Sequence, residues 1–175
     1  MKKLIQIIGL VVAFMIFLFD SSYAQFNKSS VKKKYYWVNF GAGAGSIGEN
    51  AIALSANATY HFGKNLLTLR SAGTGELFGK TIGDDGILYG IVLMQKQVLF
   101  SVGVGLASVK GSFSHGLFSS RPPEKIGPTI GIPLEAQLFW RPAHFLGIGL
   151  YAFANLNSEE PFAGITLGFQ FGKLR

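Results

Sequence analysis

The chain has 175 residues, 49% of them hydrophobic, with 23 glycines, 16 phenylalanines, no cysteine and a formal net charge of +7. Charged residues make up only 14%, which excludes an intrinsically disordered chain, and the lack of cysteine excludes a disulfide scaffold or a cysteine-linked lipid anchor. A mean hydropathy of +0.34 in so basic a protein calls for a membrane, a removable apolar segment, or both.

Residues 1–24 have the parts of a secretory signal peptide: Lys2 and Lys3, an apolar run from Ile7 to Phe19, and Ser22-Tyr23-Ala24 before Gln25 in a small-x-small cleavage pattern. Cleavage is expected between Ala24 and Gln25, after export by the Sec route. The apolar run is shorter than the roughly 20 residues of a spanning helix, and Asp20 ends it. Residues 25–34 (QFNKSSVKKK) read as a basic periplasmic tether. Lys32, Lys33 and Lys34 lack interleaved aromatic or recognition elements, so nucleic acid is not an expected partner.

From Tyr35 to Arg175 no helical period is sustained, and every second residue is apolar in segment after segment. The clearest run sets Ile52, Leu54, Ala56, Ala58, Tyr60 and Phe62 against Ala53, Ser55, Asn57, Thr59 and His61. The pattern predicts strands over 35–47, 51–62, 66–76, 87–95, 98–109, 129–140, 145–156 and 161–172. Tight turns are expected at 63–65, 95–97 and 141–144, and long loops at 79–86 and 110–128. An even number of strands of about ten residues, with short turns at one end and longer loops at the other, predicts an all-β, eight-stranded antiparallel up-and-down transmembrane barrel over 35–175. A soluble barrel would reverse the faces, because its outer positions must be wet. Here the face without charges carries the large aliphatic side chains, although Phe139, Phe145, Tyr151 and Phe153 fall on the opposite face.

Aromatic residues gather at one end: Tyr35, Tyr36, Trp37, Tyr60, Phe62, Phe100, Trp140, Phe169 and Phe171 are expected to form a girdle at the short-turn interface. Pro133 predicts a bulge or a late start of pairing in the sixth strand. With this topology and the closing GITLGFQFGKLR, the chain resembles the small eight-stranded outer-membrane barrels of the OmpA transmembrane-domain and OmpX type, and the short outer-membrane barrels of Bacteroidota-like bacteria. The resemblance implies a Gram-negative outer-membrane location, with membrane lipids, lipopolysaccharide and the barrel-assembly machinery as partners. It also implies an assembly signal in Gly164, Leu167 and Phe169 to Phe171.

Arg70, Glu76 and Glu135 are the charges this register sends into the interior, where an Arg70–Glu135 contact would either plug the lumen or gate a narrow, porin-like pore. Ser112, Ser114, His115, Ser119, Ser120 and Glu124 supply the residue types of a Ser-His-carboxylate hydrolase, an alternative in which the barrel modifies lipid A as an acyl hydrolase or acyltransferase. No spacing in that set specifies their geometry, and a solvated loop has the same composition. His61 and His144 are expected at the interface or in the lumen, and no metal or other cofactor is implied. Gly43-Ala44-Gly45-Ser46-Ile47-Gly48 spells a dinucleotide-binding pattern but precedes strand alternation instead of a helix.

The expected role is therefore non-enzymatic: a structural or surface-interaction protein in adhesion or envelope integrity, with both termini and the short turns in the periplasm. Charge follows the same division. Lys28, Lys32, Lys33, Lys34, Lys64, Lys96, Arg141, Lys173 and Arg175 fall at the short-turn end without an acid. The loops carry Lys80, Lys110, Arg121 and Lys125 against Glu49, Asp84, Asp85, Glu124, Glu159 and Glu160.

Overall fold

The computed structural model describes residues 34–76, 79–113 and 124–174. The expected signal peptide with its Ala24–Gln25 site, the tether up to residue 33, and Ser114, His115, Ser119 and Ser120 lie outside the described residues. Eight strands follow in chain order: β1 (Lys34–Gly45), β2 (Ile52–Phe62), β3 (Asn65–Gly75), β4 (Lys80–Gln95), β5 (Val98–Phe113), β6 (Glu124–Trp140), β7 (Leu146–Asn157) and β8 (Phe162–Lys173). Each pairs antiparallel with its neighbours, and β1 pairs with β8, so the sheet closes into a barrel. In a medium without water an unpaired backbone N–H or C=O costs several kcal/mol, and closure leaves no edge within the ring.

Alternation decides what each face carries. Tyr36, Val38 and Phe40 of β1 point out, as do Ile52, Leu54 and Tyr60 of β2 and Ile165, Leu167, Phe169 and Phe171 of β8. The residues between them are buried: Trp37 and Asn39, then Ser55, Asn57, Thr59 and His61, then Thr166 and Gln170. Leu106 is 67% exposed and Leu54 60% exposed, an arrangement that water would penalise and that a hydrocarbon surround accommodates. Glycine lets large lumen groups fit in so narrow a ring. A Cβ on Gly103 would lie 3.1 Å from Glu135 Cγ, and one on Gly168 would lie 2.7 Å from Asn39 Oδ1.

Three expectations need correction. Residues 80–86 are strand: β4 begins at Lys80, with Ile82 and Asp84 buried and Thr81 and Asp85 exposed. Glycines 83 and 86 and the paired aspartates dilute the apolar signal there without breaking the alternation. The long connection between β5 and β6 likewise shortens, because β5 runs to Phe113 and β6 starts at Glu124. Pro133 does not delay β6. Pairing with β5 lapses at Gly105 and Leu106, where Pro133 offers no N–H, and resumes in the same register at Ala107↔Gly131, while the register shift falls at Val109/Gly111. The glycine-rich 43–48 segment runs from β1 into the turn before β2, so no helix follows it.

The aromatic end also divides. Tyr36, Tyr60, Phe62, Trp140, Phe169 and Phe171 are outward and exposed, with Phe100 half-buried beside them. Trp37 is 2% exposed and faces the lumen, and Tyr35 packs against the interior cluster, so neither belongs to the girdle. Both lie one residue off the outward positions 36 and 38, and period two sends them inside. Phe145 moves the other way, to the exterior. The two tryptophans thus report opposite faces. In vesicles of brominated lipid, Trp140→Phe should remove most of the lipid quenching of tryptophan fluorescence and Trp37→Phe should preserve it; quenching that survives in Trp140→Phe at the wild-type level would contradict this assignment.

Candidate functional site

Four charged side chains of the described residues are buried in the lumen: Arg70 and Arg141 against Asp84 and Glu135. Two cations meet two anions, so the interior is neutral as a whole, and the charges are held in two clusters.

The first cluster forms around Asp84. Arg70 on β3 donates from Nε to Asp84 Oδ1 at 3.0 Å and from Nη2 to Asp84 Oδ2, a two-point contact with the carboxylate. The third guanidinium nitrogen, Nη1, donates to the Leu134 carbonyl at 2.8 Å across the lumen on β6. Asn155 Nδ2 on β7 donates to Asp84 Oδ2 at 2.6 Å, and the guanidinium lies 5.8 Å from the Phe153 ring centroid. One ion pair thereby joins β3, β4, β6 and β7. Asn157 extends it towards the mouth, donating to Asn155 Oδ1 at 3.2 Å and to the Glu160 carbonyl at 2.9 Å.

The second cluster is a directional relay. Arg141 Nε and Nη2 each donate to Gln170 Oε1 at 3.1 Å; Gln170 Nε2 donates to Gln137 Oε1 at 3.2 Å; Gln137 Nε2 donates to Glu135 Oε1 at 3.2 Å. Tyr151 completes the carboxylate with a 2.8 Å bond to Oε2. Two amides, both oriented from guanidinium to carboxylate, thus connect a cation to an anion it does not touch. Arg141 also closes the short-turn end: Nη1 donates to the Leu174 carbonyl at 2.9 Å, and the guanidinium lies 4.5 Å from the Trp37 ring centroid. Leu174 is fully buried, and its N–H donates to the His144 carbonyl at 2.8 Å.

The residues singled out in the sequence separate accordingly. Arg70 and Glu135 share the lumen, yet the ion-pair partner of Arg70 is Asp84, a residue expected in an outer loop. Glu76 is not a lumen charge. It sits between β3 and β4 and accepts the Glu49 N–H at 3.2 Å, bracing the β1–β2 turn, where Gly48 (φ 98°) leaves room for its carboxylate. Arg141 is inside the barrel and not in the basic collar. His61 is buried and stacked on Tyr35 at 5.4 Å, and His144 is exposed at the β6–β7 turn. Ser112 pairs with Thr81 Oγ1 at 3.0 Å on the outer surface, and the Glu124 side chain is not among those described. The interior groups not singled out, Asp84, Gln137, Arg141, Tyr151, Asn155 and Gln170, all fall on period-two positions; Glu135, Gln137, Phe139 and Arg141 are consecutive members of one face.

One stretch of wall differs. Asn39 and Asn57, register partners on β1 and β2, are buried with neither amide atom partnered.

Removing one member of a buried pair leaves the other charge uncompensated, which costs about 3–5 kcal/mol, whereas replacing both by apolar groups is far milder. Arg70→Ala should therefore lower the urea midpoint of the vesicle-inserted protein strongly, and the double variant Arg70→Leu, Asp84→Leu should recover most of the loss. A double variant no more stable than Arg70→Ala would show that the pair is not the main contribution.

No family model matches the chain, and no curated protein sequence matches it. Solved structures do. Neisserial surface protein A aligns with a TM-score of 0.61 at 8% identity, over 79% of this chain and 96% of that one. The N-terminal β-barrel domain of Pseudomonas aeruginosa OprF aligns at 0.58 and 11% identity, over 81% and 98%. The attachment invasion locus protein Ail of Yersinia pestis aligns at 0.56 and 14% identity, over 81% and 98%. The chain therefore has the fold of the small eight-stranded transmembrane β-barrels.

Proposed function

We propose that this chain is an exported, integral outer-membrane barrel with a structural or surface-interaction role, its termini and short turns in the periplasm and its longer connections outside. The observation that carries the reading is an asymmetry of length. β4, β5 and β6 have 16, 16 and 17 residues, against 11 or 12 for the other five strands. Pairing of β6 with β7 begins only at Gly131, so Glu124–Ile130 continues beyond the ring bonded to β5 alone. The β5–β6 hairpin thus projects past the apolar band, carrying exposed Lys110, Lys125 and Ile130. A stiff projection on a rigid barrel is a means of contacting a surface at a distance from the membrane.

Further support comes from the lumen and from likeness. Side chains that cross the interior and bind one another hold a barrel open against lateral pressure and leave little room for solutes. Among the similar structures are one named a surface protein and one named an attachment invasion locus protein, the latter also solved with the heparin analogue sucrose octasulfate. Exposed Lys96 and Lys173 at the short-turn end fit the phosphates of the periplasmic leaflet. A narrow pore is the second reading, favoured by the unpartnered amides of Asn39 and Asn57.

Exchanging residues 114–123 for a two-residue Asn-Gly turn should leave the barrel folded, with unchanged heat-dependent migration on detergent gels, while binding of protein-bearing vesicles to heparin-coated or host-cell surfaces falls at least several-fold. Equal binding by the shortened protein would contradict the surface role. Discrete single-channel steps in planar bilayers would favour the pore instead, and release of fatty acid from labelled lipid A would favour a lipid-modifying enzyme.

A further inference from the structure

Hydrogen bonding in the interior is thinnest along one wall. Among the described residues eight buried side-chain nitrogen and oxygen atoms have no partner, and five of them belong to Trp37 and Asn39 on β1 and Asn57 on β2. Trp37 and Asn39 occupy successive inward positions of β1, and Asn57 is the register partner of Asn39. Each of the three is more than nine-tenths buried.

Their place in the ring matters. On β8 the register partner of Asn39 is Gln170, and on β3 the register partner of Asn57 is Arg70. Gln170 belongs to the relay between Arg141 and Glu135, and Arg70 to the cluster around Asp84. Four neighbouring strands thus carry Gln170, Asn39, Asn57 and Arg70 side by side, and the two unpartnered amides fall between the two charge clusters. The wall is bounded at both ends. Towards the longer connections the next inward position of β1 is Gly41, and the Ser55 and Thr166 hydroxyls bond to each other at 3.0 Å across it; a Cβ there would lie 2.5 Å from Thr166 Oγ1. Towards the short turns Arg141 lies over the Trp37 ring and donates to the carbonyl of the fully buried Leu174.

We propose that Trp37, Asn39 and Asn57 form an enclosed site for water, about two molecules making about three hydrogen bonds each, which completes the polar belt between the two charge clusters. The balance of donors and acceptors selects this occupant. Two carboxamide N–H groups and one indole N–H stand with two carbonyl oxygens, so the ligand must both accept and donate. An anion would leave the oxygens unmet, and a cation would leave the N–H groups unmet beside two guanidinium groups. Exchanging nitrogen and oxygen in either amide does not alter that balance. A buried amide without a partner loses more on desolvation than an ordinary hydrogen bond returns, so water that satisfies both amides favours the closed barrel. Enclosed water also gives the two amides a role that requires no passage through the barrel.

The test is NMR of the protein in vesicles of chain-deuterated lipid, with isotopically labelled asparagine and tryptophan side chains, reading magnetisation transfer from water to each side-chain N–H. Wild type should show transfer to the Asn39 and Asn57 amides and to the Trp37 indole, and it should give no discrete single-channel steps in planar bilayers. Asn57→Leu, verified as folded by heat-dependent migration, should lose the transfer to Asn39, because the shared water goes with the amide. If that variant does not fold, Asn57→Val replaces it with the same expectation. Absence of transfer to both wild-type amides, or transfer to Asn39 that survives the loss of Asn57, would overturn the proposal. Water transfer accompanied by discrete single-channel steps in wild type would make the wall an open passage, overturning the enclosed site in favour of the pore.

Discussion

The backbone of a chain that spans hydrocarbon has no solvent to bond with, and the rest of this structure depends on that constraint. Every strand must pair on both sides, so β1 must meet β8, and Tyr36↔Lys173 through Gly45↔Gly164 supply the closing seam. Closure makes the alternation of side chains absolute, because no residue can leave its face without breaking two ladders. Polar side chains are then confined to a narrow interior, where each buried charge must find its partner within reach.

The two interior clusters show two solutions to that demand. Arg70 and Asp84 meet directly, and the neighbouring Asn155 and Leu134 carbonyl satisfy what remains. Arg141 and Glu135 never touch, and Gln170 and Gln137 transmit the interaction as oriented amide dipoles. The first cluster ties β3 and β4 to β6 and β7 across the lumen, and the second joins β6, β7 and β8 along one side of it, where the backbone ladders supply only circumferential bonds. Leu174 at the short-turn end and the Asn157–Glu160 contact near the mouth extend the same reinforcement towards the ends. On the outside the demand is reversed, and apolar side chains occupy the outward positions.

Strand number, closure and the apolar exterior are legible in the sequence wherever alternation is dense, as in Ile52 to Phe62 and Phe162 to Phe171. The seven residues before Ile87 do not read as strand, because Gly83, Asp84, Asp85 and Gly86 have the composition of a turn, and only their pairing with β3 and β5 reveals them. The Arg70 partner, Asp84, lies within that stretch. Arg141 reads as part of the basic short-turn end for a different reason: it follows Trp140 at a turn, and its burial depends on Trp37, Gln170 and Leu174 converging from other strands. Alternation identifies a face, but which opposite charges share a level depends on shear, which no local pattern carries. Trp37 and Tyr35 illustrate the converse, since aromatic clustering at an interface does not separate rings on the two faces of one strand.

The central claim is that this barrel is apolar outside and keeps its buried polar and charged side chains inside because it stands in lipid. The most direct measurement is the behaviour of the chain from Gln25 onward, purified and refolded with and without detergent. The account predicts a β-rich species that needs detergent or lipid to stay monodisperse and that migrates faster unheated than boiled on detergent gels. A monodisperse, folded protein in detergent-free buffer would contradict it.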